Sequence, residues 1–296
     1  MRKVTRIKSA FFLCLFLLSP FINAAPVEVI DDTLRAVKLN QPAQRIISLS
    51  PHVTELLYEA GAGARIVAAV EYSDYPAAAK ALPRVGSGYK LDIEAILGLK
   101  PDLIIGWKSG NQQAQIEQLK KLGLTIYLSE PKTLGDIAEN LRDIGALTGE
   151  EKTADKKAGD FLKGIERLKQ SSKLNKKVRV FYQVWQQPLF TINGDHIISH
   201  IIELCGGENV FAELSVVSPQ IDRESVISRN PDVIVAGIGK GREDWLDNWK
   251  KWQSINAVKN QQIYGVDADL IVRHTPRILQ GAKLMCDALL KASRIK

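Results

Sequence analysis

Several common signatures of chemistry are missing from this 296-residue chain. It has no phosphate loop, no G-x-S-x-G elbow, no H-E-x-x-H pair and no strand-following G-x-G-x-x-G. These absences remove the usual nucleotide-dependent, serine-hydrolase and zinc-protease readings. Cysteine is scarce, with three residues, and aromatics make up 7% of the chain. No stretch is low-complexity. An excess of charge is also largely missing. The chain carries 40 basic and 33 acidic residues, and four of the basic ones (Arg2, Lys3, Arg6, Lys8) lie in the first 24 residues. Without that segment 36 basic residues face 33 acidic ones. A net charge near +3 is too small to argue for nucleic acid as a partner.

Residues 1–24 read as a signal peptide rather than as fold. The four basic residues precede an apolar run from Ala10 to Leu18, and Ile22-Asn23-Ala24 offers a cleavage site after Ala24. The run is too short to span a bilayer comfortably. Cys14 lies inside it without the small residues that precede a lipidated cysteine. The expectation is an exported protein. Cys205 and Cys286 then remain, in an oxidising compartment. A disulfide is the simplest state for them, two buried free thiols the alternative. A bond would close a loop of about 80 residues, worth roughly 4–5 kcal/mol at most.

What the chain does have is a motif that occurs twice. Residues 91–106 read LDIEAILGLKPDLIIG and residues 221–236 read IDRESVISRNPDVIVA. Asp92 matches Asp222, Glu94 matches Glu224, Pro101 matches Pro231 and Asp102 matches Asp232. Each copy predicts a short helix, a Pro-Asp turn and a buried strand. Two similar lobes invite a ligand between them, and two matched carboxylates invite a partner that touches both.

The rest of the chain fits that scheme. Strand-like runs at 45–49, 66–70, 103–106, 125–128, 178–182, 233–236 and 263–266 alternate with helical ones. That alternation predicts βα units and mostly parallel sheets. Thr54 is expected to open the first helix and Gly61 to end it. Between the motif copies, Ala154, Ala158, Phe161, Ile165 and Leu168 form one apolar stripe on a long helix. The predicted class is α/β, two Rossmann-like lobes joined by one long helix. The divisions fall at 25–149, 150–173 and 174–296. A single stiff helix makes large hinge closure less expected than small rocking.

Few residues offer chemistry. His196 and His200 are four apart on a predicted helix, a spacing compatible with a metal-dependent enzyme. No third ligand stands nearby, and two polar positions on a helix are the simpler account. Asp92 and Asp222 suit helix starts. Tyr72, Trp107, Trp185 and Phe190 follow strand-like runs, where α/β folds place ligands. Trp245, Trp249 and Trp252 have helical spacing and are expected to pack a helix on a sheet. Asp269 and Arg273 lie after the last strand, either as a ligand contact or as an ion pair securing the loop.

The segments ISLSPHVTELLYEAGA, EYSDYP, EAILGLKPDLIIGW, PLFTING, ELCGGENVF, RESVISRNPDVIV and RHTPRILQGAKLMCDAL together resemble a known family. It is that of the periplasmic vitamin B12-binding proteins of bacterial ABC importers, with a helical backbone between lobes. The likeness covers about residues 45–292. It implies that Tyr72, Trp107 and Phe190 line a corrin site. It also implies that Asp269, Leu270, Ile271, Val272 and Arg273 form the loop that meets the corrin amides. Cys205 and Cys286 would be the family disulfide. Glu94 and Glu224 would dock onto the permease dimer. The implied protein is a monomer when free, with cobalamin as cargo and no cofactor or catalysis. Cobalt ligation is not required, and His274, the pocket histidine for it, is not expected to supply it.

The chain also departs from the family. Family tryptophans fall on Gly88, Ser218 and Leu270, while Trp185 stands where the family has a small residue. Residues 25–44 are an addition that resembles the start of haem and siderophore binders. A haem or ferric-siderophore binder is therefore the rival reading.

Overall fold

The computed structural model describes residues 25–174, 176–239 and 244–295. The signal-peptide reading of residues 1–24 lies outside them. The chain opens with an antiparallel hairpin, β1 (Val27–Ile30) and β2 (Ala36–Leu39). The first lobe follows: β3 (Ile46–Ser48), α1 (Pro51–Glu59), β4 (Ile66–Ala69), α2 (Ile93–Gly98), β5 (Leu103–Trp107), α3 (Gln113–Lys121) and β6 (Ile126–Ser129). Next come α4 (Leu134–Thr148) and α5 (Glu151–Ser171). The second lobe contains β7 (Val178–Gln183), α6 (Ile197–Leu204), β8 (Gly207–Asn209), α7 (Arg223–Arg229) and β9 (Val233–Ile238). It ends with α8 (Asn256–Lys259), β10 (Ile263–Asp267), α9 (Ala268–Ile271) and α10 (Ile278–Ser293).

Both four-stranded sheets are parallel throughout, ordered β4-β3-β5-β6 and β10-β9-β7-β8. The second order read backwards repeats the first in chain sequence. Each lobe lays its first strand in the middle, its second on one flank, and its third and fourth on the other in the first lobe. In the second lobe the same side-stepping places β8 alone on one flank and β9 and β10 on the other. The duplicated motif therefore occupies one topological place in both lobes, the helix entering the third strand.

Local chemistry explains why the motif recurs. Asp92 and Asp222 are helix N-caps, accepting from the amides of Ala95 at 2.9 Å and Ser225 at 2.7 Å. A short helix leaves these amides without intrahelical partners, so a carboxylate there stabilises it. Lys100 and Asn230, before the prolines, both take left-handed backbone. Asp102 then accepts from the amides of Gln44 and Arg45, and Asp232 accepts from the amide of Arg179. The Pro-Asp turn is thus a clip that ties the third strand to the foot of the first.

The junction between lobes is built from α4 and α5. Thr133 and Asp136 close a capping box at the start of α4, and Gly149 ends it at φ 70°, a turn that only glycine takes without strain. The 21 residues of α5 run about 31 Å at 1.5 Å per residue. Ala154, Ala158 and Phe161 are buried on it, and Gly164 lets Leu279 of α10 lie close. One apolar core consequently runs from Ile46 and Leu103 through α5 to Val178 and Val233. Two further cores cover the other faces of the sheets.

Three expectations need correction. The first helix starts at Pro51, not Thr54, because proline suits the first helical position. Thr54 instead donates to Ser48 Oγ from the helix interior. Trp245 and Trp249 are buried, but in turns and a single 3-10 turn rather than on an α-helix. Strand β8 and the leading hairpin were not foreseen, since both are short and lack a long apolar run.

Cys205 and Cys286 form a disulfide, with sulfurs 1.97 Å apart, joining the end of α6 to α10. The Cys205→Ala, Cys286→Ala double variant is expected to lose about 2–5 kcal/mol of stability. A urea titration reads this as a lowered midpoint; an unchanged midpoint would make the bond dispensable.

Candidate functional site

A cavity of about 630 Å³ lies between the lobes. From the first lobe come Trp107 and the loop after β6, with Glu130, Pro131 and Lys132. From the second come His196 and His200 of the α6 region, Ser218, and His274 from the loop after α9.

Trp107 is held from its own backbone. Its amide donates to Asn111 Oδ1 at 2.7 Å, and Asn111 Nδ2 donates to the carbonyls of Leu49 and Gly88. Gly110 leaves room for the indole, since any Cβ there would overlap it. The ring meets His52 edge-on at 5.3 Å and His274 at 6.1 Å, and His52 meets His274 at 5.7 Å. Three rings therefore pack as one cluster on the cleft floor.

The β6 loop is positioned by the added hairpin. Asp32 accepts from the amide of Glu130 at 2.5 Å and from Asn140 Nδ2 at 2.9 Å. Asn140 Oδ1 accepts from Ser129 Oγ, which lies 3.5 Å from His52 Nε2. The N-terminal addition thus reaches the cleft through side chains, without entering it.

Three imidazoles at the cleft, those of His52, His196 and His274, are kept uncharged. Burial pushes His196 and His274 down to about 4, and His274 and His200 add repulsion at His196. Burial, then unfavourable electrostatics with His274 and Arg273, holds His52 well below the ordinary histidine value. Desolvation favours the neutral ring in each case.

Across the lobe boundary lies a charged cluster. Glu55 of α1 is 1% exposed. Its Oε1 accepts from Arg273 at 2.8 Å and Arg277 at 3.0 Å, and its Oε2 accepts from Thr275 Oγ1 at 3.0 Å. Arg273 also reaches Asp74 at 2.8 Å and Asp269 at 3.0 Å. Burial alone would disfavour its charge, but the bonds to Glu55 and Asp74 win and raise its pKa. The Arg277 guanidinium stacks 3.7 Å over Tyr75. Donors of the second lobe therefore converge on acceptors of the first.

The residues named from sequence are spread around this arrangement. Trp107 lines the cavity. Tyr72 is 77% exposed on the loop after β4, at a left-handed φ of 63°. Trp185 is exposed, donates from Nε1 to the Gln187 carbonyl and meets Trp245 edge-on at 4.9 Å. Phe190 is half-buried and bonds through its backbone to Val184 and Trp185. Within the α9 loop, Ile271 is core, Leu270 is half-buried, Val272 is exposed, and Asp269 pairs with Arg273. Glu94 and Glu224 are exposed in the first turns of α2 and α7. His196 caps α6 by accepting from the Ile198 amide at 3.1 Å. Among the described residues no group of three or more His, Cys, Asp or Glu side chains is placed to hold a metal ion.

His52, Glu55 and the β6 loop were missed by sequence reading. Glu55 lies four residues after Pro51, directly before Leu56 and Leu57 on a helix that packs into the core, and a carboxylate in that position was the available signal.

Two lobes of repeated connectivity, a shared helical joint and an inter-lobe cleft define a two-lobed solute-binding protein. A family model described as periplasmic binding protein matches residues 46–270. The chain is 40% identical over 252 residues to the vitamin B12-binding protein of Vibrio cholerae, covering 84% of this chain and 90% of that protein. The crystal structure of the V. cholerae periplasmic vitamin B12-binding protein matches with a TM-score of 0.79 at 40% identity, over 86% of this chain and 99% of that one. A possible iron-binding periplasmic protein of Staphylococcus epidermidis matches with a TM-score of 0.75 at 31% identity, over 84% and 99%. The chain belongs to the periplasmic binding protein family, as a class III member homologous to vitamin B12-binding proteins. Such proteins act with ABC importer permeases in transport and are not enzymes.

Removing Glu55 leaves two guanidiniums without their buried acceptor. Glu55→Ala is expected to cost about 3–5 kcal/mol, whereas Asp74→Ala, at a 48% exposed carboxylate, costs under about 1 kcal/mol. Chemical denaturation of both variants checks this; equal losses would assign the clamp no special weight.

Proposed function

We propose that this protein captures cobalamin or a related corrinoid in the inter-lobe cleft and delivers it to the permease dimer of an ABC importer. The cleft itself is the observation that supports solute capture. It presents an indole, imidazoles, hydroxyls and apolar side chains drawn from the two lobes, with Glu130, Lys132 and Asp195 beside them, a mixed lining suited to a large, amide-rimmed ligand. The choice of corrinoid rests on the 40% identity to the V. cholerae vitamin B12-binding protein across nearly the whole mature length.

In this reading Trp107 covers the corrin within the cavity. Tyr72, Trp185, Phe190 and Val272 cover its edges from the rim loops, and residues 269–273 meet its amides through backbone groups. Arg273 serves that loop by fixing it against Glu55 and Asp74. The chain is exported by removal of residues 1–24, divides at 25–149, 150–173 and 174–296, and is a monomer when free.

Calorimetric titration of residues 25–296 with cyanocobalamin, haemin and a ferric hydroxamate tests the reading. One cyanocobalamin per chain at micromolar affinity or tighter is expected, and Trp107→Ala weakens it without unfolding the protein. Binding of haemin or ferric hydroxamate with no binding of cyanocobalamin would overturn it.

Glu94 and Glu224 are the docking groups, one on each lobe at the same topological place. The double variant Glu94→Arg, Glu224→Arg keeps its cobalamin affinity and loses cobalamin uptake in cells that depend on this importer. Uptake at the wild-type rate would remove the docking role.

A further inference from the structure

Three histidines line the cleft and a fourth, His52, is buried behind Trp107 and His274, and their ring nitrogens are not equally free. His52 is buried, with Nδ1 2.7 Å from Ser50 Oγ and Nε2 3.5 Å from Ser129 Oγ. His196 accepts the Ile198 amide on Nδ1. The neutral ring must then carry its proton on Nε2, which leaves no lone pair to offer a solute. His200 stands at the cleft edge, with Nδ1 4.0 Å from the Glu203 carboxylate. His274 differs from all three. It lines the cavity, and among the described residues its Nδ1 is buried with no hydrogen-bond partner. Its Nδ1 is sealed from solvent. Only Nε2 is left through which the ring can bind anything.

A buried ring nitrogen without a partner is costly in a folded protein unless something is gained from it. His274 is also held still, packed edge-on to Trp107 and His52. Its neighbours Arg273 and Thr275 are both fixed to Glu55. Burial disfavours its charged form, so the ring keeps a lone pair near neutral pH. A neutral, oriented imidazole facing a cavity is a ligand for a borderline transition-metal ion. One such nitrogen is too few to hold a free ion, and no cluster of three exists among the described residues. It suffices for a metal that arrives already held by a macrocycle.

We propose that Nε2 of His274 is an axial ligand to the cobalt of the corrinoid carried in the cleft, an inference that rests on the corrinoid reading above. The step is ligand exchange at cobalt(III). The Co–O bond to an axial water breaks, a Co–N bond to Nε2 forms, and the water leaves intact. The imidazole keeps its single proton on Nδ1, and no electron moves. The cleft therefore favours corrinoids with an exchangeable axial face, such as aquocobalamin, over those whose face carries an alkyl group, such as methylcobalamin.

The test uses residues 25–296 with aquocobalamin, methylcobalamin and haemin, followed by visible absorption and by calorimetry. With wild-type protein, aquocobalamin takes on the spectrum that free imidazole gives it, and methylcobalamin keeps its own. His274→Ala still binds both corrinoids, without the spectral change. Its affinity for aquocobalamin falls about 10-fold or more, the loss common even for outer-shell partners of a metal, while that for methylcobalamin is unchanged. If the alanine variant melts at a lower temperature, His274→Gln retains the ring's volume and polarity and gives the same readout. Tight aquocobalamin binding with an unshifted spectrum, or a shift that survives both substitutions, overturns cobalt ligation and leaves the corrinoid reading intact. Binding of neither corrinoid overturns the corrinoid reading, and a His274-dependent haemin spectrum in that case moves the ligation to iron.

Discussion

The buried carboxylate of Glu55 is the constraint on which the cleft depends. It sits in the first lobe and is satisfied by two guanidiniums and a hydroxyl of the second. Burying a charge is expensive, and its attraction to a partner repays the cost only when the geometry is good and the remaining lone pairs are used. Here both oxygens are used. The arrangement is weak evidence for extra stability but strong evidence for one preferred lobe angle, because few other angles would satisfy all the donors. The loop from Asp269 to Arg273 and the neighbouring His274 take their places from it.

The continuous apolar core through α5 works in the same direction. Prying the lobes apart would expose Ala158 or Phe161 and break the Glu55 cluster together. A cleft held open at one angle spends little free energy on ordering itself when a solute enters. The hairpin of residues 27–39 adds to this, since Asp32 pins the Glu130 amide on one cleft wall.

Much of this was legible in the sequence, and for identifiable reasons. The duplicated motif announced two lobes because helix capping, a Pro-Asp turn and a buried strand are all local and each needs particular residues. Asp92, Asp222, Asp102 and Asp232 do what helix ends and sheet feet require. The stripe on α5 was readable from its spacing, and the cysteine pair from the oxidising compartment. What could not be read was adjacency. Glu55 and Arg277 are 222 residues apart, and no period links His52, Trp107 and His274. Arg273 could be narrowed to a ligand contact or an ion pair, and only the fold brings Glu55 and Asp74 to it. His196 and His200 looked like two polar positions because facing the other lobe is a tertiary fact.

The repeated connectivity has a mechanical consequence. Because α2 and α7 occupy the same place in two lobes, Glu94 and Glu224 ride on rigid frames, fixed to their own sheets by the Asp102 and Asp232 clips. Their separation is then a gauge of the angle between the frames and of little else. A membrane partner that grips both carboxylates works as a caliper. It can sense a cleft squeezed or spread by its contents without ever touching them.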